Sequence, residues 1–312
     1  MPNSEVIALF IDYLLSERRY SPLTVRNYRH DVLSFCAWGE ASAESEFSLL
    51  EARTEDSREW SVFLSDEREE RGRRLRSVAS VNRAVASIRS LYKFLRRKRI
   101  IERDILVGLS LPRAPRRLPA YVPESRMTDV VERIFSDLDS ADYRTARDAM
   151  LVFLIYASGV RLAEVVGIDV EDFEDDFRLL RVLGKGDKER MVPLVERLRT
   201  EVKRYVERFL ADKICKKTKN ALFLSMRGER ISRSDVQRSV ARLLRECGVQ
   251  GKLSPHVLRH TFATHLLNDG ADMREIQELL GHQSLRATQV YTHNDIARLQ
   301  RAYVDSHPRE QQ

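Results

Sequence analysis

FRLLRVLGKGDKERMVPL, residues 177–194, is where the chain breaks from helix. Phe177 to Leu183 is a strand-like run, Gly184-Lys185-Gly186-Asp187 is a turn, and Glu189 to Leu194 is a second strand with Met191, Val192 and Leu194 as its apolar residues. Glycine in the turn between two such runs predicts an antiparallel β-hairpin. The surrounding sequence reads as helix. Upstream lie a helix around residues 125–136 and a strongly apolar one from Ala146 to Ala157; downstream come helices at 195–211, 232–246, 255–268, 272–280 and 284–304. A short hairpin in a helical frame makes the second half an α+β domain.

The first half, residues 5–108, reads as nearly all helix. Val6, Leu9, Phe10, Tyr13 and Leu14 recur at helical spacing up to Ser16. Ser21-Pro22 is a start signal: a capping hydroxyl, then a proline whose missing N–H costs nothing in a first turn. That helix runs through Val25, Tyr28, Val32 and Phe35 to about Trp38, where Gly39 is expected to end it. Further helices are expected over 54–69 and from Ser77 to Arg97, the latter with Val78, Val81, Val85, Ile88, Leu91, Tyr92 and Leu95 on its apolar face. Leu111 to Pro123 reads as a connector, because Pro112, Pro115, Pro119 and Pro123 oppose helix. The expected organisation is a helical domain over 1–108, a linker over 109–123 and a second domain over 124–312. The fold class is mainly α with a small antiparallel β-sheet.

The formal net charge is +7. A polyanionic partner, nucleic acid or a membrane surface, is one reading of that excess; a merely basic protein is the other. No run of about 18 apolar residues occurs, so no bilayer-spanning helix is expected. Cys36, Cys215 and Cys247 are odd in number and far apart, without a CxxC pair. This fits a reducing cytoplasm and argues against a disulfide framework or a structural zinc.

Chemistry-bearing residues cluster in the second half. In Ser158-Gly159-Val160-Arg161-Leu162-Ala163-Glu164 an apolar helix ends at Gly159, and Arg161 sits at the corner before a new short helix. Its structural alternative is a surface arginine paired with Glu164 three residues on. Lys185, flanked by Gly184 and Gly186, stands on the hairpin tip, where it either reaches a ligand or is a solvated turn. Ser254-Pro255 opens a helix on which His256 and Arg259, three apart, share a face near the N-terminus, a place that favours phosphate oxygens. A zinc pair of His256 and His260 would lack the Glu of HExxH. His260 and His265 are expected to pack or to be hydrogen-bonded. His282 follows Gly281, a natural C-cap, and Tyr291 lies on an amphipathic helix where a tyrosine is ordinarily core.

Each of these is weak alone, but the ordered set Arg161, Lys185, His256-x-x-Arg259, His282 and Tyr291 resembles the tyrosine recombinase (phage integrase) family. YASGVRLAEVVGI (156–168), LGKGDKERMVPL (183–194), HVLRHTFATHLL (256–267) and ELLGHQSLRATQVYTH (278–293) are similar to its Xer branch. AYVDSHPR (302–309) is closer to the XerC form than to the XerD form.

The resemblance covers nearly the whole chain and implies a helical core-binding, SAM-like N-domain with an α+β catalytic domain. It implies that Tyr291 attacks a DNA phosphate, leaving a 3′-phosphotyrosyl link and a free 5′-hydroxyl, without metal, ATP or other cofactor. Arg161 and Arg259 would clamp the non-bridging oxygens, for which planar guanidinium forks are suited. His256 and His282 would complete the clamp, Lys185 (with Lys188 a rival on the same turn) would protonate the leaving oxygen, and Glu164 would support the arginines. Implied partners are double-stranded DNA at a dif-like site, a tetrameric synapse with itself or a related Xer protein, and a DNA translocase as a candidate activator. Arg26, Arg83, Arg89 and Lys93 are first-domain candidates for phosphate contact, their alternative being a solvated helical face. Competing readings are a mobile-element integrase, a non-catalytic recombinase-derived DNA-binding protein and a type IB topoisomerase. Nothing resembling an arm-binding domain precedes the core-binding helices, which is expected to favour a housekeeping recombinase over the first.

Overall fold

In a computed structural model, residues 1–42, 47–66, 76–106, 108–109, 120–184, 189–210 and 220–281 are described. The chain divides into two compact units, Met1–Arg117 and Leu118–Gln312.

The described part of the first unit is helical: α1 (Asn3–Ser16), α2 (Pro22–Ser42), α3 (Thr54–Asp66) and α4 (Val78–Arg97). Ser21 and Ser77 cap α2 and α4, accepting hydrogen bonds from the backbone N–H groups of Thr24 (3.3 Å) and Ser80 (3.1 Å). The core gathers Phe10, Phe35, Trp60, Leu91 and Tyr92, and the Tyr92 hydroxyl donates to the Leu49 carbonyl at 2.6 Å. Helix α2 does not stop at Gly39; it runs through it to Ser42. The reason is tertiary. A β-carbon at Gly39 would lie less than 3.0 Å from three ring carbons of Phe47, so this glycine lets Phe47 pack against the helix rather than ending it.

The second unit is built on α6 (Tyr143–Ser158), every residue of which from Ala146 to Ser158 is buried. It packs against α5 (Glu124–Leu138), α8 (Glu196–Phe209), α9 (Arg233–Glu246) and α10 (Pro255–Asn268). A helix apolar on all sides belongs in such a centre. Two short helices, α7 (Leu162–Gly167) and α11 (Met273–Leu279), lie in the same unit. The hairpin is part of a three-stranded antiparallel sheet in the order β1 (Phe173–Glu174), β2 (Leu179–Leu183), β3 (Glu189–Pro193). Phe177 is not in a strand: Asp175, Asp176 and Phe177 all have positive φ and form the turn joining β1 to β2. Register pairs Leu180 with Val192 and Val182 with Arg190. Paired residues share a face, so Arg190 lies on the side where Leu180, Val182 and Val192 are buried.

Candidate active site

Two helix ends meet in the second unit, and arginines bind the carbonyls they expose. Helix α6 ends at Gly159 (φ +62°) and α11 is followed by Gly281 (φ +61°), both left-handed. A β-carbon at Gly159 would stand 2.6 Å from the Phe262 ring and 2.9 Å from a methyl of Leu280, so backbone shape and close approach both require glycine there. The last carbonyls of a helix lack intrahelical partners and carry partial negative charge. Arg259, 7% exposed on α10, donates to the carbonyls of Gly159 and Leu280. Arg161, immediately before α7, donates from Nη2 to the Gly281 carbonyl at 2.9 Å.

Glu164 completes the arrangement. Its carboxylate accepts from the Arg161 backbone N–H (2.7 Å) and Nη1 (2.8 Å). It also takes both prongs of Arg190, Nη1 at 2.8 Å and Nη2 at 2.9 Å. The expected Arg161–Glu164 pairing is therefore present, together with a contact that a surface pair would not make, the bond to Gly281. Burial pushes the Glu164 carboxyl upward, but the bonds from Arg190 and Arg161 outweigh it and hold its pKa at about 2. Burial and the neighbouring Arg161 pull Arg259 down to about 10, with Arg190 adding to the effect and Glu164 opposing it. Three guanidinium groups thus face one carboxylate in a largely dry pocket. Such a surplus of fixed positive charge suits an anion more than it suits stability. The Arg161 side chain remains 35% exposed, so it can reach one.

His256 is exposed in the first turn of α10, three residues before the buried Arg259. His265 packs inside as expected: its Nδ1 faces the Tyr156 hydroxyl at 3.2 Å and its Nε2 the Val122 carbonyl at 3.1 Å. Ser254 opens α10, but its hydroxyl caps nothing and is buried without a partner among the described residues. The structure therefore brings Arg161, Glu164 and Arg259 together. Lys185, Lys188, His282 and Tyr291, and the helix expected over 284–304, lie outside the described residues.

Arg190 is a residue of this site that sequence reasoning misses. A signal is present: with Leu183 opposite Glu189, alternation puts Arg190 on the core face. A charge there must find a partner.

In the first unit, an open cleft of about 770 Å³ is lined by five cations, Arg89, Lys93, Arg96, Arg97 and Arg99, and by Glu102 and Asp104. Arg89 and Lys93 are exposed and make no ion pair among the described residues. Arg26 is exposed on α2. Arg83 differs, because both prongs of its guanidinium are held by the buried Asp31, at 2.6 and 3.0 Å.

Comparison with known proteins matches residues 126–298 to the phage integrase family and residues 7–99 to the phage integrase N-terminal SAM-like domain. The tyrosine recombinase XerC of Pelotomaculum thermopropionicum is 35% identical over 304 residues, covering 96% of this chain and 97% of the relative. XerC of Myxococcus xanthus is 35% identical over 312 residues, covering 98% of each. Among solved structures, the XerH site-specific recombinase bound to palindromic difH in a post-cleavage complex shares the fold. Its TM-score is 0.67 at 23% identity, covering 92% of this chain and 81% of that one.

Proposed function

Because the chain belongs to the phage integrase family and is a tyrosine-type site-specific DNA recombinase, we propose that it cuts and rejoins DNA through Tyr291 at a dif-like site and thereby resolves chromosome dimers. The observation that carries the chemistry is the pairing of Arg161 and Arg259 at the meeting of two helix ends, Arg161 held by Glu164 and the Gly281 carbonyl and Arg259 by the carbonyls of Gly159 and Leu280. Two guanidiniums held this way are preorganised for the non-bridging oxygens of one phosphate, and such donors need no rearrangement as charge develops. The dif-like site and the chromosomal role rest on the likeness to XerC proteins.

In the reaction the Tyr291 oxygen forms a bond to phosphorus while the bond from phosphorus to the 5′-oxygen breaks. The phenolic proton passes to a base, for which His256 is the candidate, and Lys185 supplies a proton to the departing 5′-oxygen. His282 adds a hydrogen bond to the phosphate. The 3′-phosphotyrosyl link conserves the bond energy, so the 5′-hydroxyl of a second duplex reverses the step and exchanges strands. Two duplexes call for four protomers, this chain alone or with a related Xer protein, and a DNA translocase is a candidate activator. A chromosomal substrate of the kind the XerC likeness suggests supports a cytoplasmic site of action.

The test is covalent trapping on a nicked duplex that carries the source genome's dif-like sequence. Wild type should give a denaturant-resistant adduct without metal or ATP, and Tyr291→Phe should give none. Arg161→Ala and Arg259→Ala should each slow adduct formation by about 10²–10³. An adduct formed by Tyr291→Phe as readily as by wild type would overturn the assignment of the nucleophile.

A further inference from the structure

Arg190 makes no contact that the chemistry above calls for, yet it joins Glu164 to the end of α11. Its side chain, 9% exposed, leaves β3 and holds both oxygens of Glu164. Its Nε donates to the Leu279 carbonyl at the end of α11, at 3.3 Å. Its Cδ lies 3.0 Å from where a β-carbon on Gly281 would stand, so that residue's lack of a side chain makes room for it. Glu164 in turn holds Arg161, whose other prong binds Gly281. The contacts close a ring: Arg190, Glu164, Arg161, Gly281 and, through the backbone, Leu279 back to Arg190.

Stability does not account for this ring. A buried ion network is commonly no more stable than apolar packing of the same volume, and here a third guanidinium enters a pocket already rich in them. Geometry does account for it. A carboxylate held only by Arg161 would be fixed at one oxygen, by the backbone N–H, and its other oxygen could swing with the guanidinium. Clamped at both oxygens by a second, two-pronged partner, Glu164 becomes a fixed post. Arg161 is then aimed by two anchors that both trace to Arg190, the carboxylate and the end of α11. We propose that Arg190 is a positioning residue for DNA cleavage, setting the angle at which Arg161 meets the phosphate. This rests on the reading of Arg161 as half of the phosphate clamp.

The groups facing the Glu164 carboxylate are Arg161 before its own helix, Arg190 on β3 and Arg259 on α10. With Arg190 removed, burial is opposed by fewer cations, so the carboxyl takes up a proton at a higher pH than in wild type. Loss of its charge then loosens Arg161. Cleavage by Arg190→Met should therefore fall off on the acid side at a pH where wild type is still flat, and adding Glu164→Gln should remove that limb.

Single-turnover adduct formation on the nicked dif-like duplex, followed from pH 5 to 9 with DNA binding measured in parallel, tests this. Arg190→Lys keeps the charge without the two-pronged grip, so it should fold and bind DNA within about threefold of wild type. Its cleavage should be about 10- to 100-fold slower, the scale expected for a small misplacement of a reacting group. The Arg190→Met/Glu164→Gln pair should be no slower than the slower single variant, because the two act as one unit. A second measurement needs no DNA: the side-chain Nε–H resonance of Arg161, identified by its loss in Arg161→Ala, should move in Arg190→Lys and stay in place in Arg26→Lys. Cleavage by both Arg190 variants within twofold of wild type, multiplied losses in the double variant, or an unmoved Arg161 resonance each overturns the proposal. If instead Arg161→Ala cleaves like wild type, the clamp reading has failed rather than the role of Arg190.

Discussion

Glu164 accepts four hydrogen bonds from two arginines while its side chain is 3% exposed. A carboxylate in that position ties fold stability to pH. Its pKa falls from 4.5 to about 2 on folding, so the folded state binds fewer protons than the unfolded one between those values. The stabilisation is complete above about pH 4.5 and drains away as pH falls toward 2; a shift of this size corresponds to about 3 kcal/mol. Denaturant titrations of wild type and Glu164→Gln at pH 7 and near pH 2.5 measure it. The variant should be markedly less stable at pH 7, where it also strands Arg190, and the gap should narrow in acid. A gap that is the same at both values would mean that the carboxylate's charge contributes nothing.

At the scale of elements, two glycines do opposite work, and only one could be read correctly from its neighbours in sequence. Gly159 ends α6 because its backbone is left-handed and because Phe262 and Leu280 crowd it. Gly39 lies inside α2 with Phe47 against it. Alanine is a better helix former than glycine by about 1 kcal/mol, yet Gly39→Ala should destabilise, because overpacking against a ring costs about 1–3 kcal/mol. Thermal unfolding should show a melting temperature lowered by several degrees; a rise would mean that Phe47 yields freely.

The same contrast explains what was legible. Helix periodicity records which face is buried, so the helices that fall on described residues could be placed to within a few residues. It does not record what lies opposite, so Gly39 read as a stop and Phe177, in the turn before β2, as the start of a strand. In the site, Arg161, Glu164 and Arg259 stand out by residue type and order. Their partners, the carbonyls of Gly159, Leu280 and Gly281, have no side-chain signature and come into view only once two distant helix ends meet.

At the scale of the whole molecule, the positive excess must be divided between cations already engaged and cations available to DNA. Arg83 is engaged. Asp31 is 1% exposed, and removal of Arg83 would leave that carboxylate with Ser87 as its remaining side-chain donor among the described residues. Arg83→Ala should therefore cost fold stability, on the order of 1–3 kcal/mol. Arg89 and Lys93 line the first unit's basic cleft without such partners among the described residues, so their removal should leave stability unchanged and weaken DNA binding. A cation that neutralises one phosphate contributes about one unit to the slope of log affinity against log salt concentration. The Arg89→Ala/Lys93→Ala pair should thus flatten the slope by about 2 on any duplex, with or without the recombination site, because bonds to phosphate carry no sequence information. Binding titrations between 50 and 200 mM salt on a specific and a scrambled duplex measure this. A flattened slope on both assigns the cleft to the DNA backbone. An unchanged slope would leave its cations as a solvated helix end, where Arg96, Arg97 and Lys98 already pair with Asp104 and Glu17.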